Sequence, residues 1–251
     1  MSTTMQQTMV ITGGSRGIGA AVAQAAARAG FAVCVNYVRN AAAADSLVAA
    51  IESAGGRAIA VQADVSRQDD AARLFRHVDQ ALGPVDVLVN NAGVLGHCLV
   101  ADIDEAALDQ VFRANVYGTF FCAREAVRRM STRLGGRGGS IVNMSSVASR
   151  LGGLAGGSHY AASKGAIDSF SLALAKEVGA EGIRVNTVRP GLIQTEIHEV
   201  HGGLSAMETL ARGTPMGRSG TADEVAQSVL WLASPAASYV HGAVIDVAGG
   251  R

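Results

Sequence analysis

Thr8-Met9-Val10-Ile11-Thr12 is a short apolar run that passes straight into Gly13-Gly14-Ser15-Arg16-Gly17-Ile18-Gly19 and then into an alanine-rich stretch reaching about Gly30. Across those glycines the pattern changes from that of a strand to that of a helix. Glycines at 13, 17 and 19 let the backbone pass close to a ligand, and Ser15, Arg16 and Ile18 stand between them. The free N–H groups and positive dipole end of the new helix then face a pyrophosphate. A chain that opens this way is expected to build an α/β fold around a nucleotide.

The next strand, Phe31 to Asn36, leads into Tyr37-Val38-Arg39-Asn40. An NAD-selective site carries an acidic residue about 20 positions past the glycines, where it grips the ribose 2′-hydroxyl. Tyr37 stands there instead, with Arg16 and Arg39 both able to reach the same point. A guanidinium suits a phosphate, so the sequence points to NADP(H), with NAD(H) the lesser alternative. A helix over Ala41–Ala54 ends at Gly55-Gly56, and Arg57–Gln62 reads as a third strand. Asp64 and Val65 follow it, placed at an adenine, although an aspartate there also suits a loop or helix cap. Val85–Val89 is a fourth strand running into Asn90-Asn91-Ala92-Gly93, where small residues admit a ribose or nicotinamide. Asn90 reads as structural, and Asn91, Ala92 and Gly93 as lining the cofactor.

His159-Tyr160-Ala161-Ala162-Ser163-Lys164 places a phenol and an ammonium four residues apart, on one face of a helix expected from about Ser158 to Ala180. A cation held nearby lowers a phenol pKa by roughly 1–3 units, which would let Tyr160 exchange a proton near neutrality. Ser140–Met144 is a fifth strand ending at Ser145-Ser146, and either hydroxyl could orient a carbonyl at the strand's carboxyl end. Between the fourth and fifth strands, helices are expected over Asp104–Asn115 and Val116–Leu134, and the asparagine at their junction suggests a local irregularity or a water site. Ile183–Val188 is a sixth strand broken by Pro190-Gly191, and Leu192–Pro215 has the mixed polarity of a lid. Thr195 there is able to hydrogen-bond a carboxamide. His198 and His201 lack a third partner, so no metal is expected. Thr221 and Glu224 make a capping box for a helix through Trp231, and Val244–Val247 is the last strand.

Composition narrows the remainder. Of 251 residues, 49% are hydrophobic but only 4% aromatic, which suits a parallel sheet buried on both faces by helices. Lys+Arg and Asp+Glu both number 21, with no basic stripe to follow a nucleic acid. Cys34, Cys98 and Cys122 lack metal-ligand spacing and are read as reduced thiols of a cytoplasmic protein. No run reaches membrane-spanning length. Residues 1–7 are expected to be a flexible tail and 8–251 a single domain.

These motifs together resemble the short-chain dehydrogenases/reductases over nearly the whole chain. Thr12-Gly13-x-x-x-Gly17-Ile18-Gly19 is similar to the family's cofactor loop, Asn90-Asn91-Ala92-Gly93 to its strand-four motif, and Tyr160-x-x-x-Lys164 to its active-site pair. Among its members the chain looks most like 3-oxoacyl-carrier-protein reductases and glucose 1-dehydrogenases. The resemblance implies a Rossmann fold with a doubly wound seven-stranded parallel sheet. It also implies a tetrad of Asn115, Ser146, Tyr160 and Lys164, with Pro190, Gly191, Ile193 and Thr195 at the nicotinamide, and a homotetramer. It further implies hydride transfer between NADP(H) and a carbonyl or secondary alcohol. The alternatives are an NAD-dependent alcohol or sugar dehydrogenase, or a nucleotide-binding sensor without turnover. Thirteen residues separate Ser146 from Tyr160, one more than the commonest family form, which keeps Ser145 open as the source of the hydroxyl. The ending at Gly249-Gly250-Arg251 is expected to leave the pocket or subunit interface without the extension some relatives have.

Overall fold

A computed structural model describes residues 6–195 and 203–251. Strands β1 (Thr8–Ile11), β2 (Ala32–Tyr37), β3 (Arg57–Gln62), β4 (Val85–Asn90), β5 (Gly139–Met144), β6 (Ile183–Pro190) and β7 (Val244–Val247) form one sheet in the order β3-β2-β1-β4-β5-β6-β7. Every pairing is parallel, with Thr8 opposite both Ala32 and Val85. The order reverses between β1 and β4, so the loops leaving those two strands diverge and open a crevice at their carboxyl ends.

Alternation along the strands sends side chains into two separate cores. Met9, Ile11, Val33, Val35, Val87 and Val89 meet α1 (Gly17–Arg28), α2 (Ala41–Ser53) and, later in the chain, α9 (Ala222–Ala233). Val10, Cys34 and Leu88 meet α3 (Gln68–Ala81), α5 (Gly118–Met130) and α7 (Ser158–Val178) on the opposite face. The alanines of α1 matter here, because Ala21, Ala23, Ala25 and Ala26 are all buried and let the helix lie close to the sheet. α6 (Ala148–Leu151) and α8 (Gly203–Ala211) complete the helices used below, and the Thr221–Glu224 capping box starts α9 as the sequence indicates.

Three boundaries differ from expectation. α4 (Glu105–Phe112) and α5 are not separate helices, because Arg113–Tyr117 joins them as a π turn closed by Gly118 N–H donating to the Arg113 carbonyl. The asparagine signalled the irregularity, and the chain absorbs it as one extra residue in a continuous helix. β6 also runs through Pro190, which pairs with Val247; its carbonyl accepts from Val147 N–H, so the ring ends the strand without interrupting it. Within the expected tail, Gln6 donates its side chain to Gly30 O in the turn before β2, and the Gln7 carbonyl accepts from Ala32 N–H at the start of that strand.

Asn36 is fully buried at the end of β2. Its Nδ2 donates to the carbonyls of Val61 and Ala63, at 3.2 and 2.9 Å, and its Oδ1 accepts from Gly13 N–H. One side chain thus ties β3 to the glycine turn. Asn36→Ala strands these buried groups, and urea unfolding should show a loss of about 1–3 kcal/mol with an unchanged slope.

Candidate active site

The glycine turn sits at the crevice in left-handed backbone, with φ of +59° at Gly13 and +54° at Gly17. A Cβ on Gly13 would lie 2.9 Å from the Cα of Ala92, so only glycine permits this approach to the loop after β4. Asn91 Nδ2 donates to the carbonyls of Thr12 and Gly13, both at 3.0 Å, and Thr12 Oγ1 accepts from the N–H groups of Asn91 and Ala92. These bonds bind two strand ends into one floor. At the start of α1, Arg16 supplies no side-chain cap and the first turn has no acidic residue, which leaves a positive helix end facing the crevice.

A cavity of about 450 Å³ lies above this floor. Gly13, Ser15, Arg16, Gly17 and Ile18 line it from the turn, Tyr37 from the end of β2 and Arg39 just past it, Asp64 and Val65 from the loop after β3, and Asn91, Ala92 and Gly93 from the loop after β4. Arg16 and Arg39 are exposed at its rim. Ser66 takes up one Asp64 oxygen through its N–H and hydroxyl, at 3.0 and 2.7 Å, so the aspartate also shapes its own loop. Gly19 alone of the turn's expected contacts does not line the cavity. It is buried beneath the turn, where a Cβ would come within 2.6 Å of Asn91 Nδ2 and Gly13 O, and its role is to let the helix approach.

A second cavity, of about 170 Å³, shares Ile18, Asn91, Gly93 and Thr195 with the first. Ser145, Ser146, Tyr160, Lys164, Pro190, Gly191 and Ile193 line it. Ser146 Oγ accepts from Ala148 N–H at 3.1 Å and lies near enough to the Tyr160 phenol to favour its phenolate. Ser145 is turned away, with its hydroxyl donating to Lys164 O at 3.1 Å. Lys164 is 5% exposed, and its Nζ donates to the Met144 carbonyl at 2.8 Å, at the end of β5. That bond holds the ammonium 5.8 Å from the Tyr160 ring centroid.

This geometry corrects the expected electrostatics. Burial pushes the Tyr160 phenol above its ordinary pKa, against the neighbouring Ser146 hydroxyl, which favours the phenolate. Burial likewise brings the Lys164 ammonium down to about 8, with the charge of Asp168 acting in the opposite direction. In the free protein the cation therefore does not lower the phenol, because desolvation dominates and the ammonium is spent on a backbone carbonyl.

Asn115 is buried behind the cavity and does not line it. Its Oδ1 accepts from Val94 N–H at 2.8 Å, while Nδ2 donates to Val94 O and Ser163 Oγ. Ser163 donates in turn to the Tyr160 carbonyl at 2.7 Å. The π turn thus aims a carboxamide at both the loop after β4 and the first turn of α7. Ser163 was missed in the sequence, where a serine beside a lysine carries no signal. His198 and His201 lie outside the described residues, among which no cluster able to hold a metal occurs and no helix is long and apolar enough to cross a membrane.

Comparison with known proteins adds a second line of evidence. Residues 13–251 match the family model described as Enoyl-(Acyl carrier protein) reductase. The chain is 48% identical over 243 residues to the uncharacterized oxidoreductase YgfF of Escherichia coli (strain K12), covering 96% of this chain and 98% of that one. It is 38% identical over 251 residues to a 3-oxoacyl-[acyl-carrier-protein] reductase of Synechocystis, covering 100% and 98%. Among solved structures, a double mutant of a short-chain dehydrogenase/reductase from Serratia marcescens superposes with a TM-score of 0.89 at 33% identity, covering 98% of each chain.

A lysine pKa depressed from 10.5 to about 8 means the folded protein binds the charged form less well than the unfolded chain does. Stability then rises with pH from about 8 to about 10.5, where the folded state has released a proton that the unfolded state still holds. Lys164→Met should accordingly raise stability at pH 7, by up to about 3 kcal/mol. Chemical denaturation across that range should show the gain vanish on the alkaline side.

Proposed function

The chain belongs to the short-chain dehydrogenase/reductase family, and from that premise we propose that it is an NADP(H)-dependent oxidoreductase interconverting a carbonyl and a secondary alcohol. The observation that carries the reading is that Ser146, Tyr160 and a buried Lys164 line one cavity, which shares Ile18, Asn91, Gly93 and Thr195 with the glycine-turn cavity. The residues fit a dinucleotide: Gly13 brings the turn against Ala92, α1 presents uncapped N–H groups, and Arg16 and Arg39, lining the cavity beside Tyr37 with no acid there, would hold a 2′-phosphate.

When bound, the nicotinamide supplies or accepts the hydride. Ser146 orients the substrate oxygen through its hydroxyl. Tyr160 donates its phenolic proton to that oxygen in the reducing direction and takes it back in the oxidising one. A phenol held neutral by burial is in the right state to donate. Lys164, which leaves the phenol unaltered in the free protein, would hold the cofactor ribose and supply positive charge to the phenolate once the proton has left. Asn115 holds the loop after β4 and the first turn of α7 at fixed separation. Leu95, Met144, Val147, Leu151, Leu154 and Leu192 make the substrate wall largely apolar, which favours a modest carbonyl compound with an apolar body. A cytoplasmic homotetramer is the proposed setting.

Tyr160→Phe should abolish NADPH oxidation against a panel of ketones and β-ketoacyl thioesters while leaving NADPH affinity almost unchanged. Turnover within tenfold of the parent, a cost of only about 1.4 kcal/mol, would remove Tyr160 from the chemistry. Cofactor choice is tested separately. Arg39→Ala combined with Arg16→Ala should weaken NADPH binding by about 10–100-fold, on the scale of one or two charge-assisted contacts, and leave NADH binding unchanged.

A further inference from the structure

We propose that Asp168 is a positioning residue for this reaction, its carboxylate shared between Arg189 and the field of Lys164 so that it sets how firmly Lys164 holds its proton. The inference rests on the proposed role of Lys164 and deepens it. Asp168 lies four residues after Lys164 on α7, on the same face, and is 8% exposed. Its Oδ2 accepts from Arg189 Nε and Nη2, at 3.1 and 2.8 Å. Its Oδ1 is buried and, among the described residues, has no hydrogen-bond partner. The ion pair with Arg189 uses one oxygen, and the other is a buried acceptor left open at a cost.

The pair does not stand alone. Arg189 Nη1 lies 3.7 Å from Asp246 Oδ1, Asp246 Oδ2 accepts from Arg150 Nε at 3.0 Å, and Arg150 also donates to the Arg251 carbonyl. The chain of charges therefore joins α7, the end of β6 beside Pro190, β7, and α6 just beyond Ser146. Of these, α7 carries Tyr160 and β6 carries Pro190, and Ser146 lies two residues before α6.

Several groups face Lys164. From α7 come Tyr160 and Asp168, while His159 on that helix packs its ring against Gly96. β5 presents the Met144 carbonyl and the Ser145 hydroxyl, and the π turn presents the uncharged Asn115 across Gly93. Arg251 lines the same cavity, and Arg189 and Asp246 stand behind Asp168. Asp168 is the carboxylate whose charge opposes the loss of the Lys164 proton.

Breaking the ion pair from its two sides has opposite electrostatic consequences. Asp168→Asn removes the anion and leaves the Arg189 cation, so Lys164 should lose its proton more readily. Arg189→Gln removes the cation and leaves the anion, so Lys164 should hold its proton longer. A role confined to tying α7 to β6 would move both variants the same way or not at all.

The chain contains two lysines, Lys164 and the exposed Lys176. Carbon-13 NMR of the lysine ε-carbons therefore gives two signals, of which Lys176 is the internal standard. From a starting value of about 8, the Lys164 midpoint should fall by roughly half a unit or more in Asp168→Asn and rise comparably in Arg189→Gln. Shifts of the same sign, or none in either variant, overturn the proposal. If one variant does not fold, the direction of the other decides, with Asp168→Glu expected to restore the parent midpoint. The alkaline limb of turnover should follow the NMR midpoint. Opposite NMR shifts without a matching change in turnover would uphold the coupling of Asp168 to Lys164 and overturn the proposed use of Lys164 in the chemistry.

Discussion

Lys164 carries an ammonium into the interior, and the hydrogen bond from its Nζ to the Met144 carbonyl fixes where everything around it must go. A charge taken out of water has to be given a partner. Here the partner is the last carbonyl of β5, an acceptor available because the strand ends there and the chain turns toward Ser145 and Ser146. Helix α7 must therefore cross the sheet with its first turns against the carboxyl end of β5. That placement brings Tyr160 beside Ser146 and sets both facing the strand ends that meet the glycine turn.

Much of this frame was legible in the sequence because its signals are local. The glycine turn announces itself through a change of period across seven residues, and four glycines with small neighbours mark the places where strands and loops come closest. Asn115 was legible as an irregularity, since a short polar side chain competes with the helical backbone. What stayed hidden depends on partners far away in the chain. Nothing near Lys164 says that its ammonium will choose the Met144 carbonyl, 20 positions earlier. The Asp168–Arg189 pair, 21 apart, is equally silent in sequence, and so are the three strand ends that Asn36 ties together.

Pro190 and Gly19 show how a correct local rule yields an incomplete reading. Proline ends strands because it lacks an N–H, yet the final position of β6 does not need that donor, and its carbonyl still binds Val147. Glycine in a cofactor turn invites a ligand, yet Gly19 is small so that a helix can rest on Asn91. In both cases the residue type was informative and the identity of its neighbour was not.

The π turn at Arg113–Tyr117 has a wider consequence. A helix with one surplus residue is a length insertion held in place: removing that residue would give α4 and α5 an unbroken, more regular ladder. The deletion would also rotate one segment against the other by about a third of a turn, carrying the Asn115 carboxamide away from Val94 and Ser163. Regularity of the backbone and support of the site therefore favour different chain lengths at this point. The fold keeps the less regular helix, so the support Asn115 gives the site depends on the length of this segment as well as on its residues.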